Sequence, residues 1–193
     1  MAVESGPTAL GSPLPNVTLR DSSGTIVSLG DLKDHDVLVV VFAANHCPYV
    51  RHVEGRLGEM SDAFEGTGVR FVAIASNDTT TYPDDDVPGM TEQARRAGWR
   101  FPYLLDGDQV AAKAFGAVCT PDFFVYSSQG NLTYRGAFDA SSPKNGEPLT
   151  GDLLRDAVTK TLLEKAVPEP QRPAMGCGIK WLPGNEPEAV SFR

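Results

Sequence analysis

The 193-residue chain is poor in the residues that usually announce a binding site: three cysteines (Cys47, Cys119 and Cys177), three histidines and two tryptophans. Cysteines so few and so widely spaced exclude a disulfide framework and a paired-cysteine zinc site, so their interest lies in reactivity or in burial. Basic charge is also short. Seventeen Lys and Arg against 25 Asp and Glu leave a net charge of −8, which argues against a nucleic-acid partner. Long apolar runs are missing as well: the longest, Val37 to Ala44, has the length of a strand, far below the roughly 18 residues of a membrane helix, so no membrane partner is expected. The segment Met1 to Pro7 lacks a basic region followed by an apolar stretch, and the expected location is therefore the cytoplasm. With 41% hydrophobic and 22% charged residues, the composition is that of a globular protein with one sizeable core.

The apolar patterning alternates strands and helices. Val17–Arg20 and Thr25–Leu29 flank the turn-rich Asp21-Ser22-Ser23-Gly24 and predict an N-terminal β-hairpin within about 14–29. Val37–Ala43 is apolar throughout and rich in β-branched residues, and Val69–Ala75 repeats the pattern, that of strands buried on both faces. Between them Val50, Val53, Leu57, Met60 and Phe64 recur at helical spacing from Pro48 onward, which makes a βαβ unit and a partly parallel sheet. Residues 76–88 read as a surface loop, Gly89–Ala97 and Asp108–Phe115 as short helices, and Asp122–Tyr126 with Leu132–Arg135 as a second hairpin. A last helix runs from Gly151 to about Lys165. Residues 1–166 are thus expected to form one domain, with 167–193 a Pro-rich arm packed on it through Ile179, Trp181 and Leu182.

Cys47 lies four residues beyond the first buried strand and directly before Pro48, which suits the first position of a helix. The free N–H groups and positive dipole end of a helix N-terminus stabilise a thiolate, the nucleophilic form of cysteine. His46 beside it adds positive charge or shuttles a proton. Further on, in Val118-Cys119-Thr120-Pro121-Asp122, a proline opens an apolar strand, so it either marks an edge strand or adopts cis.

The segments Asn45-His46-Cys47-Pro48-Tyr49-Val50, Phe101 to Asp106, Thr120-Pro121-Asp122-Phe123-Phe124 and Gly176-Cys177-Gly178-Ile179-Lys180-Trp181 together resemble the peroxiredoxin-like group of the alkyl hydroperoxide reductase/thiol-specific antioxidant, or redoxin, superfamily. The resemblance extends from about Leu14 to Glu188. It implies an α/β thioredoxin-like fold, a central mixed sheet flanked by helices, with the N-terminal hairpin and the extended C-terminal arm added. It also implies a thiol-based oxidoreductase with Cys47 as the redox cysteine, a cis-Pro121 facing it and Thr120 offering backbone contacts to substrate. Asn45, His46 and Pro48 support the site, and neither metal nor organic cofactor is required. The implied partners are a small thiol or protein dithiol as reductant and a disulfide or hydroperoxide as substrate.

Two departures from relatives narrow the chemistry. Val50 stands where thioredoxins carry a second cysteine, so a local dithiol is impossible. Val40 and Ala44 stand where peroxiredoxins have a proline and the Thr or Ser that binds peroxide, so Asn45, Asn77 or Arg135 would have to replace that hydroxyl. A second thiol comes from Cys119, near Pro121, or from Cys177, which the arm is long enough to bring to Cys47. Anchoring by Trp181 is expected to restrain Cys177, leaving the arm a structural role. Two rival functions remain: a copper carrier using His46, Cys47 and Cys119, and a non-catalytic binding module using the acidic run Asp84-Asp85-Asp86 or the arm, although such a run usually forms a solvated face.

Overall fold

The computed structural model describes residues 2–7, 9–33 and 35–187. In chain order the strands are β1 (Ala2–Glu4), β2 (Thr18–Asp21), β3 (Ile26–Ser28), β4 (Val37–Phe42), β5 (Val69–Ala75), β6 (Tyr103–Leu105), β7 (Cys119–Thr120), β8 (Asp122–Ser127), β9 (Leu132–Gly136) and β10 (Met175–Gly178). The helices are α1 (Pro48–Ala63), α2 (Val87–Ala97), α3 (Val110–Phe115) and α4 (Asp152–Leu162). No helix among the described residues is long and apolar enough to cross a membrane. The final residues of the expected arm, 188–193, lie outside the described residues.

The two β-branched runs form the middle of a mixed seven-stranded sheet ordered β3-β2-β6-β5-β4-β8-β9. β4 pairs in parallel with β5 and antiparallel with β8. Because side chains alternate along a strand, Val37, Val39 and Val41 enter one apolar cluster with α1 and α4, while Leu38, Val40 and Phe42 enter a second with α3 and the N-terminal hairpin. Both faces are therefore covered, which explains why β4 reads as a continuous hydrophobic run and β5 as one broken only by the exposed Arg70.

Local chemistry sets the helix ends. α2 starts two residues earlier than the sequence suggests, because Asp86 accepts the Gly89 N–H at 2.8 Å and Pro88 fits the first turn. α3 starts two residues later, since Gln109 is left-handed at φ 62° and the buried Asp106 caps the N–H groups of Ala111 and Ala112 at 2.9 Å each.

The arm folds back along the domain and pairs as a strand. β10 lies between β1 and β7 in a separate three-stranded antiparallel sheet. Ile179 is buried in the second apolar cluster and Trp181 packs half-buried against it. Around them Asn77 Oδ1 accepts the Lys180 N–H, and Gln109 binds both the Lys180 carbonyl and the Leu182 N–H, each at 2.8 Å. An Ile179→Ala substitution removes an apolar anchor of this segment. It is expected to lower unfolding stability by about 2–4 kcal/mol in urea titrations.

Candidate active site

The register of β4 and β8 decides what can meet Cys47. Phe42, the last residue of β4, pairs with Asp122, the first of β8, so the loop leaving β4 and the chain entering β8 emerge at the same edge of the sheet. The first carries Asn45, His46 and Cys47, the second Thr120 and Pro121. The Thr120-Pro121 peptide is cis, and because β8 is an interior strand the cis alternative, not the edge-strand one, accounts for the proline. Cys47 occupies the N-cap position of α1, with Pro48 following. Its Sγ lies 3.2 Å from the Thr120 carbonyl oxygen, and its exposed fraction is 0%.

Cys177 is the second sulfur at this site. β10 pairs with β7 so that Cys177 is opposite Thr120 and Gly178 opposite Cys119. Cys177 packs against the apolar cluster that contains Cys47, and its thiol and backbone N–H both act on Cys47 in the sense that favours the anion. Anchoring of the arm therefore does not keep Cys177 away from the site. The anchors hold Cys177 against Cys47, because strand pairing with Thr120 turns its side chain to the face where Cys47 lies. Gly176 permits the approach: a Cβ there would sit 1.9 Å from the Thr120 carbonyl oxygen.

These contacts polarise the pair. The Cys47 thiol is pulled down to about 6, chiefly by the hydrogen bond from Cys177, with help from the Thr120 side chain and the Val50 N–H and against the opposing effect of burial. Cys177 is pushed up in turn, first by its bond to Cys47 and then by burial. The two shifts run in opposite directions, so of the pair Cys47 is the more acidic thiol and Cys177 the more basic.

Cys119 does not join them. Consecutive strand residues face opposite sides, so with Thr120 and Cys177 on the Cys47 side, Cys119 points away. Its Sγ is 4.0 Å from the Ala174 carbonyl, and burial raises its thiol well above the ordinary range. This orientation turns Cys119 away from Cys47, the partner it was expected to resolve or to share a copper site with. Among the described residues no group of three or more His, Cys, Asp or Glu is arranged to hold a metal. Cys119→Ala is expected to leave thiol reactivity at Cys47 within about twofold of wild type, measured by alkylation at pH 7, since the side chain faces another compartment.

The acidic run also differs from a solvated face. Asp85 is 1% exposed: Oδ1 accepts the His46 N–H at 3.0 Å, and Oδ2 meets His46 Nδ1 at 2.5 Å and Asn77 Nδ2 at 2.8 Å. The His46 ring stacks on Tyr82, centroids 5.2 Å apart. Its pKa is raised, mainly through the hydrogen bond to Asp85, whose carboxyl is lowered because its bonds to His46 and Asn77 outweigh the cost of burial. Asp86 caps α2, so of the three only Asp84 faces solvent.

The hydroxyl substitutes named from the sequence are engaged elsewhere. Asn45 donates to the Asp84 carbonyl at 2.8 Å and accepts from Arg96. Asn77 binds Asp85, and Arg135 pairs with the buried Asp122 at 2.8 Å and with the Gly116 carbonyl. Sequence reasoning missed Tyr82, Asp85 and Lys180. The spacing Cys177-Gly178-Ile179-Lys180 was the available signal for Lys180, whose Nζ lies 5.4 Å from the Tyr82 ring.

The AhpC/TSA family model matches residues 10–135. A solved structure of an uncharacterized conserved protein from Geobacillus kaustophilus is 42% identical, with a TM-score of 0.92 over 95% of this chain and 98% of that one. A secreted disulfide oxidoreductase from Mycobacterium tuberculosis is 21% identical, with a TM-score of 0.59 over 75% of this chain and 95% of that one, and shares the fold. The chloroplastic peroxiredoxin Q of Oryza sativa subsp. japonica is 23% identical over 138 residues, which span 67% of this chain and 59% of the relative's length.

Proposed function

Starting from a chain that belongs to the AhpC/TSA family, a peroxiredoxin-like protein on a thioredoxin fold, we propose that it is a thiol oxidoreductase in which Cys47 and Cys177 form one dithiol/disulfide couple. The observation that supports this reading is the pairing of β10 with β7, in which Cys177 is opposite Thr120, whose carbonyl oxygen lies 3.2 Å from Cys47 Sγ. In the reduced protein Cys47 carries the negative charge and Cys177 the proton. Oxidation removes two electrons and that proton and joins the sulfurs. Cys47 is enclosed and Cys177 only half-buried, so an external thiolate meets the oxidised couple at Cys177. Collinear attack there expels Cys47, the better leaving group of the two. Stabilising the Cys47 thiolate favours the reduced state and makes the couple a stronger oxidant than an ordinary dithiol.

The oxidant class follows from Ala44, buried three residues before Cys47, where no hydroxyl is offered to a peroxide. A disulfide needs only an accessible sulfur and a leaving thiolate. Thiol-disulfide exchange is therefore the primary reading, with a small thiol or protein dithiol as reductant and the cytoplasm as the setting. Hydroperoxide reduction, suggested by the likeness to peroxiredoxin Q, is the second. Rapid mixing of the reduced protein with an aromatic disulfide and, separately, with hydrogen peroxide tests the order. The disulfide is expected to oxidise it at least about tenfold faster at equal concentration. A faster reaction with peroxide would reverse the assignment, and loss of fewer than two thiols per chain would remove the couple altogether.

A further inference from the structure

A hydrogen-bonded chain joins the segments that carry the two sulfurs. The Lys180 N–H, three residues beyond Cys177, donates to Asn77 Oδ1 at 2.8 Å; Asn77 Nδ2 donates to Asp85 Oδ2 at 2.8 Å; and that oxygen meets Nδ1 of His46, next to Cys47, at 2.5 Å. Asp85 also accepts the His46 backbone N–H at 3.0 Å, so both the ring and its peptide are fixed to one buried carboxylate. Tyr82 completes the arrangement, with the imidazole stacked on it and Lys180 Nζ 5.4 Å from its ring. A carboxylate only 1% exposed is costly unless it is paired, and two of the contacts that offset the cost here go to one half-exposed histidine. The geometry leaves Nε2 as the atom free to exchange protons, with Nδ1 turned to Asp85.

We propose that His46 is the proton carrier of the Cys47/Cys177 couple and that Asp85 is the positioning residue that orients its ring. This rests on the couple described above and adds the path of its proton. When an external thiol RSH opens the disulfide, its proton passes to neutral His46 and RS⁻ attacks Cys177. The Cys47–Cys177 bond breaks, and Cys47 leaves as thiolate. A second thiolate RS⁻ then attacks the sulfur of R, forming RSSR and expelling Cys177, which takes the proton from His46. Two electrons move from the two external thiols to the couple, and the proton of the first thiol ends on Cys177. Cys47 leaves readily as an anion, whereas Cys177, the more basic sulfur, needs an acid at its departure. The charged groups that act on His46 are Asp85 and Cys47, which favour its protonation, and Lys180, which opposes it.

The test uses the full chain oxidised to the Cys47–Cys177 disulfide and reduced by glutathione across pH 5 to 9, alongside NMR titration of the His46 imidazole. In wild type a limb of the rate profile is expected at the imidazole's own midpoint. Asp85→Asn should lower that midpoint and shift the limb by the same interval, and His46→Gln should remove the limb and slow reduction at pH 7 by about tenfold or more. A limb that stays in place while the imidazole midpoint moves, or a His46→Gln rate equal to wild type, overturns the proposal. Should Asp85→Asn fail to fold, the half-exposed His46→Gln decides alone. Failure of the disulfide to form at all would strike the couple itself, a separate outcome visible before any profile is recorded.

Discussion

Cys177→Ala is expected to return the Cys47 thiol from about 6 toward the ordinary value near 8.5, cutting its thiolate fraction at pH 7 by about 30-fold. The direction follows from the order of the forces at Cys47. The hydrogen bond from Cys177 contributes most to the depression, and the largest opposing effect is burial. Removing the thiol therefore leaves desolvation less opposed, and only the Thr120 side chain and two backbone N–H groups remain to favour the anion. In alkylation measured against pH, wild type should reach its plateau near pH 7 and the variant only above pH 8. Multiple-turnover thiol-disulfide exchange should fall by more than the thiolate fraction alone requires, since no second sulfur remains to form the couple with Cys47.

Gly176→Ala is the second large expected effect. A methyl group at this position would lie 1.9 Å from the Thr120 carbonyl oxygen, 2.6 Å from its carbon and 3.1 Å from the Pro121 nitrogen. All three atoms are backbone, so no rotamer change relieves the overlap, and β10 has to move off β7. A loss of about 1–3 kcal/mol in stability is expected by analogy with overpacked cores. With the strand displaced, the Cys47 midpoint should rise as it does in Cys177→Ala. Gly178→Ala is the matched control, because its nearest neighbour is the Val3 side chain at 3.3 Å, which can yield. Thermal unfolding together with the alkylation profile of each variant checks both parts. A Gly176→Ala protein as stable and as acidic at Cys47 as wild type would show that close strand contact is not what sets the pair.

What the sequence reveals and what it hides follow different ranges of interaction. Val37–Phe42 and Val69–Ala75 are legible because their burial on both faces leaves β-branched and apolar residues at every position but the exposed Arg70, and α1 because one stripe of it faces the core. Cys47 is legible because Pro48 and the preceding strand fix the helix start within a few residues. β1, β7 and β10 are only two to four residues long and form through partners far away in the chain, such as Ala2 with Cys177 and Cys177 with Thr120, so no local periodicity announces them. The choice between Cys119 and Cys177 depends on the same register: one residue of shift would turn the other side chain toward Cys47. Asp85 was hidden for another reason. Within Asp84-Asp85-Asp86 the three carboxylates look alike, yet one faces solvent, one is buried against His46 and one caps α2.

The pairing of Cys47 with Cys177 is tested most directly by a tryptic map of the protein after stoichiometric oxidation. Cleavage at Lys and Arg, with the Arg172-Pro173 bond resisting, puts Cys47 in peptide 34–51, Cys119 in 114–135 and Cys177 in 166–180. The expected result is one intramolecular disulfide joining 34–51 to 166–180, with 114–135 carrying a free thiol. A disulfide that includes 114–135, or one that joins two copies of the chain, would contradict it.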